Sequence, residues 1–356
     1  MGLLELEHIS HSYGQSGTYG SRRGHQVLFD VSLSLEPGGI LALVGESGCG
    51  KTTVAKIAAD VVVPTEGRVR YENRDLRRLG RSEYLVYRRG VQYIHQDPYA
   101  SLNPTRTVFD TLSAPLRRHK IARGRGEQRL KVDELLTAIG LAPTADYRDK
   151  YPHQLSGGQR QRVSMARAMA LDPTVIIADE AVSMVDVSLR VELLNILLAM
   201  QRRLNNAYLF VSHDFGVVRY FAQGQTTAVM YLGHVVEIGP TSAVIARPLH
   251  PYTQALLAAV PVADPTGTGL DRPLPVRSAE PPTTPAAIAG CKFHPRCLYA
   301  TDICRQQIPP LEEMAPGHRA ACFHARELMA GGAAARPGPT EDAILPASPP
   351  REPVEG

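Results

Sequence analysis

The sequence contains no apolar run approaching the ~18 residues needed to cross a bilayer. Its start, Met1-Gly-Leu-Leu-Glu-Leu-Glu, has acids where a secretory signal needs a basic stretch ahead of an apolar one, so no signal is expected. Cysteine is scarce. There are five in 356 residues, one alone at Cys49 and four between Cys291 and Cys322. These absences exclude an integral membrane protein and a secreted disulfide scaffold. Charge of one sign is also lacking: 39 basic residues stand against 35 acidic ones, a net charge of +4. So small and dispersed an excess gives little footing for nucleic acid, and none is expected as a partner. No internal repeat is visible. What is present is 44% hydrophobic and 21% charged residues, enough for one large globular domain with a smaller appendage.

Residues 1–240 read as alternating strands and helices, an α/β pattern. Leu3–His8 and Val27–Leu35 alternate apolar and polar residues, as half-buried strands do. A glycine- and arginine-rich loop, Gly14–Gly24, lies between them. Ile40–Val44, Val175–Ala178 and Ala207–Ser212 are short apolar runs, the mark of buried parallel strands. A helix-forming stretch at about 97–170 reads as a helical subdomain inserted in the sheet domain. Residues 234–260 give a strand, a turn at Gly239-Pro240 and two short helices. The segment 241–290 is an extension ending in a Pro-rich linker from Pro261 to Pro285, and 291–324 is a four-cysteine module. The Gly-, Ala- and Pro-rich tail, 325–356, is expected to be disordered.

The chemistry begins at Gly45-Glu46-Ser47-Gly48-Cys49-Gly50-Lys51-Thr52, which fits G-x-x-x-x-G-K-[ST] between a buried strand and a helix-forming run, Thr53–Asp60. Glycines let backbone N–H groups point inward around phosphates, and the helix N-terminus adds its positive end. Lys51 should reach the β- and γ-phosphates, and the Thr52 hydroxyl should bind Mg²⁺. Cys49 has no evident partner and reads as loop filler. A second half-site is Val175-Ile-Ile-Ala-Asp179-Glu180. Asp179, at the end of an apolar strand, is placed to hold Mg²⁺, and Glu180 to polarise an attacking water.

Leu155-Ser156-Gly157-Gly158-Gln159, between these two motifs, carries a resemblance to the ATP-binding subunits of ABC transporters. The resemblance implies a P-loop NTPase fold of the ABC type. It implies that Ser156, Gly158 and Gln159 cap the γ-phosphate of an ATP held by a partner subunit. The same Ser and Gln also read as an ordinary capping box, and both readings can hold. By the same resemblance Gln96 matches the Q-loop glutamine that touches Mg²⁺, His213 the switch histidine at the γ-phosphate, Asp186 the D-loop aspartate, and Tyr13 the aromatic that stacks on adenine. Departures are Ala181 where the family has Pro, Ser183-Met-Val-Asp186 in the D-loop, and His95 before Gln96. None removes a group that performs chemistry.

Three further stretches, Asp97-Pro-Tyr-Ala-Ser-Leu-Asn-Pro104, Tyr151-Pro-His-Gln154 and His250-Pro-Tyr-Thr-Gln-Ala-Leu-Leu257, resemble the oligopeptide and dipeptide importers. That resemblance implies a peptide cargo, with an oligosaccharide or nickel as alternatives. It also implies a second, different ATPase subunit, two transmembrane permease subunits, an extracytoplasmic substrate-binding protein, and a place at the cytoplasmic face of the membrane. Cys291-x5-Cys297-x6-Cys304-x17-Cys322 lacks the tight knuckles of zinc sites. Four thiolates suit iron–sulfur ligation, and some members of the resembled subfamily carry a [4Fe–4S] cluster at the matching position. Zinc is the alternative. A soluble ABC ATPase acting on nucleic acid is the rival reading from another class.

Overall fold

The computed structural model describes residues 2–14, 24–260, 275–278 and 288–331. Most of the loop at 14–24, most of the expected linker and the tail from 332 lie outside the described residues. Among the described residues, twelve strands build two sheets. In chain order they are β1 (Leu4–Tyr13), β2 (His25–Leu35), β3 (Ile40–Val44), β4 (Glu66–Tyr71), β5 (Arg74–Asp75), β6 (Val91–Ile94), β7 (Val175–Asp179), β8 (Ala207–Ser212), β9 (Thr226–Tyr231), β10 (His234–Pro240), β11 (Glu312–Ala315) and β12 (His318–Ala320). The smaller sheet has the order β2-β1-β4-β5, and the larger β11-β12-β10-β9-β3-β8-β7-β6.

The continuous apolar runs are explained by burial on both faces of the larger sheet. Along β3, Ile40, Ala42 and Val44 enter one core and Leu41 and Leu43 the other. β7 and β8 alternate in the same way: Ile176, Ala178, Tyr208 and Phe210 face the first core, while Val175, Ile177, Leu209 and Val211 face the second. β3 is paired in parallel with both β8 and β9, and β7 with β6 and β8. The C-terminal ends of β3, β7 and β8 therefore emerge side by side, where ligands of open parallel sheets bind.

The helical insertion has a core of its own, built on Leu102, Val108, Leu112, Leu116, Val132, Leu136 and Val163. Its helices are Pro98–Ser101, Val108–Arg118, Arg125–Ala138, Ala145–Arg148 and Gly157–Met169. A capping box of Thr107 and Asp110 starts the second. Arg148 reaches both oxygens of Asp133, at 2.8 and 2.6 Å, and ties the third helix to the fourth. No described helix is long and apolar enough to cross a membrane.

Two expectations need correction. Gly239-Pro240 is the end of β10 rather than a separate turn, because both residues pair with β9. Residues 325–331, expected to be tail, form a short helix, Ala325–Gly331, whose Ala325 is buried against Leu249 and Ala320. The cysteine segment is also not a detached unit. β12 pairs with β10 through Glu237↔Ala320 and Ile238↔Arg319, so the hairpin β11–β12 extends the main sheet.

That junction is organised by buried polar groups. Glu237 is fully buried and accepts hydrogen bonds from the Leu249 and His250 N–H groups, at 2.9 Å each, and its Oε1 lies 2.8 Å from His318 Nε2. His250 then accepts the Tyr252 N–H on Nδ1, capping the helix Pro251–Ala258. Burial depresses the His250 imidazole to a pKa of about 3, so the ring is neutral in the folded chain. The unfolded chain takes up a proton below its ordinary value of 6.5. The stabilisation is therefore complete above about pH 6.5 and is lost as pH falls toward about 3. Asn at 250 could still cap the helix without titrating. The melting temperature of His250→Asn should fall less steeply than the wild type's between about pH 6.5 and 4. Parallel pH profiles in thermal unfolding would refute the assignment.

Candidate active site

The phosphate loop begins where β3 ends. Gly45 must be glycine: a Cβ there would lie 2.2 Å from the Met230 carbonyl oxygen. Gly50, at φ 106°, sits directly before the helix Lys51–Ala58 in a left-handed conformation that other residues rarely adopt. Lys51 is 4% exposed, and its ammonium donates to the carbonyls of Gly45, at 2.7 Å, and Glu46, at 2.9 Å. Cys49 is buried beside it, and burial pushes its thiol above the usual range, so it is a packing group.

β7 delivers the acids. Asp179 is 2% exposed and accepts from the Thr52 hydroxyl at 3.2 Å and from the Tyr93 hydroxyl at 2.6 Å. Burial raises its carboxyl above the usual range despite both donors, with a smaller push from the Glu180 charge. Tyr93 is itself raised by burial and by Asp179, so it remains a donor. Glu180 follows at φ 47°, a strained conformation for a residue with a side chain. Its N–H is fixed to the Val211 carbonyl at 3.1 Å. Its Oε2 accepts from the Gln96 amide at 2.9 Å and lies 3.3 Å from His213 Nδ1.

One cavity of about 540 Å³ collects Gly45, Glu46, Ser47, Gly48, Gly50, Lys51, Thr52, Thr53, Gln96, Glu180 and His213. Residues expected from four separate stretches of sequence thus share one volume. Cys49 and Asp179 are buried and do not line it. Tyr13 lies at its edge, 42% exposed, with its hydroxyl 3.4 Å from that of Thr53.

Ser156, Gly158, Gln159 and Asp186 do not line this cavity. Ser156 Oγ accepts the Gln159 N–H, and Gln159 Oε1 accepts the Ser156 N–H, which is the capping box at the start of the helix Gly157–Met169. Asp186 precedes the helix Val187–Leu204 without a side-chain cap bond.

Sequence reasoning missed three groups. Tyr93 supports Asp179 from the neighbouring strand β6, and nothing in its local pattern reveals that. Tyr252 accepts the Glu46 N–H at 2.7 Å, and Arg296 holds the Glu46 carboxylate at 2.9 and 3.0 Å. Tyr252 stood inside a stretch read as a family mark, and neither residue carries a spacing signal linking it to the phosphate loop.

The four cysteines of the C-terminal segment are free thiols. Their charges influence one another, and burial pushes Cys297 and Cys322 up to about 12. The donor chemistry suits iron or zinc, but among the described residues no group of three or more His, Cys, Asp or Glu is arranged to hold a metal ion. The charges of Cys291, Cys297 and Cys304 all act on Cys322, so the four expected ligands share one neighbourhood without being drawn into such a group. Cys297 belongs to the main core, which Cys291 packs against, whereas Cys322 packs on the separate cluster of Leu249, Ala320 and Ala325. Cys304 Sγ instead lies 3.6 Å from both the Thr301 hydroxyl and His324 Nε2.

Comparison with known proteins agrees with this architecture. Residues 28–183 match the ABC transporter family, and residues 236–304 match the C-terminal region of oligopeptide/dipeptide transporters. The chain is 43% identical over 316 residues to y4tS of Sinorhizobium fredii, a probable peptide ABC transporter ATP-binding protein, covering 89% of this chain and 86% of that one. It is 40% identical over 323 residues to the oligopeptide transport ATP-binding protein AppF of Bacillus subtilis, covering 90% and 96%. Among solved structures, cbiO1 of Clostridium perfringens, part of the cbiONQ ABC transporter complex, aligns with a TM-score of 0.58 at 25% identity, over 69% of this chain and 91% of that one. A dimeric ATP-binding cassette bound to ADP and Pi aligns with the same score at 26% identity, over 67% and 98%. The chain belongs to the ATP-binding subunits of ABC transporters of the oligopeptide/dipeptide type, ATP hydrolases coupled to transport.

Proposed function

We propose that this chain binds and hydrolyses ATP at a subunit sandwich, at the cytoplasmic face of the membrane, to drive the uptake of peptides. The observation that carries the reading is the single cavity joining the phosphate loop to Gln96, Glu180 and His213. Lys51 and the backbone amides of residues 45–52 bind the phosphates. Glu180 accepts a proton from the attacking water, and His213 contacts the γ-phosphate beside it. Thr52, Asp179 and Gln96 would hold Mg²⁺, and the 3.2 Å contact between Thr52 and Asp179 suits a shared cation. The metal supplies charge neutralisation at the transferring phosphoryl group. Tyr13 at the cavity edge offers its ring to adenine. Ser156, Gly158, Gln159 and Asp186, outside this cavity, serve the ATP of the second ATPase subunit, which is a different chain.

The partners above the ATPases are two permease subunits fed by a substrate-binding protein. A groove of about 670 Å³ between the sheet domain and the helical insertion supports permease docking here. Arg88, Arg106, Arg118 and Arg167 line it, and Leu85 is half exposed at its rim. The double variant Arg88→Glu/Arg118→Glu should lose co-purification with the permeases while still binding ATP. Retained co-purification would remove the groove from the docking surface. The cargo is tested in proteoliposomes carrying both ATPases and both permeases. ATP-dependent uptake of a labelled dipeptide or oligopeptide is expected, and uptake of nickel or an oligosaccharide instead would reassign the cargo.

The cysteine segment is proposed to take a [4Fe–4S] cluster, with zinc as the alternative, on the strength of its four-thiol donor set alone. Anaerobic purification followed by iron, sulfide and zinc analysis decides it. About four iron and four sulfide per chain would support the cluster. About one zinc would support a structural metal, and no metal would leave the thiols as packing groups.

A further inference from the structure

Glu46 stands inside the phosphate loop and lines the cavity that receives the nucleotide. A carboxylate in such a place repels the phosphates the loop must hold. Each of its polar groups is nonetheless engaged. Its carbonyl accepts from Lys51 at 2.9 Å, its N–H donates to the Tyr252 hydroxyl at 2.7 Å, and its carboxylate receives both terminal nitrogens of Arg296 at 2.9 and 3.0 Å. Two of these three restraints come from the C-terminal region, about 200 residues or more downstream.

The two anchors are themselves rigid. Tyr252 is fully buried and packs on Tyr231 and Phe293, with ring centroids at 4.5 and 5.4 Å. The Arg296 guanidinium lies over the same Tyr231 and Phe293 rings, at 5.8 and 5.6 Å. Arg296 is 5% exposed, and its Nε donates to the Ser278 carbonyl at 3.1 Å. A planar guanidinium held on aromatic faces and paired bidentately is pre-organised, so little entropy is lost in keeping Glu46 in place.

We infer that Arg296 is a positioning residue for ATP binding: the C-terminal segment neutralises Glu46 and holds the phosphate loop open to receive the nucleotide. Arg296 does this through Glu46 without touching the phosphates. The inference rests on the ATP-binding reading of the cavity. Without Arg296, Glu46 is an unpaired anion among incoming phosphates and the loop loses one restraint. The cost falls on nucleotide affinity, while the groups that carry the reaction remain.

The test is equilibrium binding of a fluorescent ATP analogue with Mg²⁺ to the full chain, together with KM and kcat in the assembled transporter. Arg296→Met should weaken binding and raise KM about tenfold with kcat changed less than about twofold. Arg296→Lys, which keeps the charge, should recover most of the affinity. In the Glu46→Gln background the anion is absent, so adding Arg296→Met should cost less than about threefold. Equal penalties in the two backgrounds would overturn the inference and leave Arg296 as a packing residue. Unchanged affinity in Arg296→Met would also overturn it. Should Arg296→Met fail to fold, Arg296→Lys and Arg296→Gln read the same comparison. A wild-type chain that binds no ATP analogue would instead sink the reading of the cavity itself.

Discussion

Glu180→Gln should bind ATP as tightly as the wild type and turn it over about 10²–10⁴-fold more slowly, the contribution expected of a general base. Glu180 lines the nucleotide cavity, its backbone is fixed to the end of β8, and its Oε2 is held by the Gln96 amide and lies near His213. A glutamine keeps the size and can still accept from Gln96, so phosphate binding through Lys51 and the loop amides is untouched. What it lacks is a site for the water proton. The measurement is steady-state ATPase activity in the assembled transporter, beside nucleotide affinity of the isolated chain. Mixed with the partner ATPase, the variant should show an ATP-dependent rise in apparent mass on gel filtration, because a closed sandwich that cannot hydrolyse persists. Full turnover would remove Glu180 from the role of base. Loss of affinity would show that the carboxylate orders the cavity.

The parts of the site legible in the sequence are those whose signal is local. Gly45–Thr52 is readable because its glycines, lysine and threonine keep a fixed local spacing between a buried strand and a helix. β3, β7 and β8 are readable because burial on both faces removes polar residues from the run. Ser156 and Gln159 cap a helix as the local pattern predicts. What the sequence hid depends on distant partners. Glu312–Ala315 and His318–Ala320 are short and polar, and they are strands only because β10 supplies a paired edge. Tyr93 looks like any strand aromatic until β6 lies beside β7. Arg296 looks like a surface charge until the C-terminal segment folds back on the phosphate loop. The cysteine spacing suggested one ligand set; packing sets Cys291 and Cys297 on the main core and Cys322 on the small cluster of Leu249, Ala320 and Ala325, with Cys304 in neither. Spacing along the chain does not encode that division.

Asp179→Asn should show opposite effects on stability and on turnover. In the folded chain Asp179 is buried and its carboxyl is raised, so the charged form is disfavoured at neutral pH relative to the unfolded chain. A group with a raised carboxyl pKa destabilises the fold above that pKa, and the penalty fades as pH falls through it. Asparagine removes the charge and keeps the shape, and the Thr52 and Tyr93 hydroxyls can rotate to meet its amide. Without nucleotide or Mg²⁺, the variant's melting temperature should rise by about 2 °C or more at pH 8. The gain should shrink as pH falls and the native carboxyl takes its proton. Turnover should fall about 10²–10³-fold, because the carboxylate proposed to hold Mg²⁺ is gone and the phosphoryl group loses that neutralisation. Differential scanning calorimetry across pH checks the first effect, and ATPase activity against Mg²⁺ concentration checks the second. A melting temperature that drops at pH 8 would mean that the hydrogen bonds from Thr52 and Tyr93 outweigh the cost of burying the charge. Undiminished activity would mean that the cation is held by Thr52 and Gln96 without Asp179. The opposed signs are expected because a group that must meet a cation is kept short of favourable charge until the cation arrives.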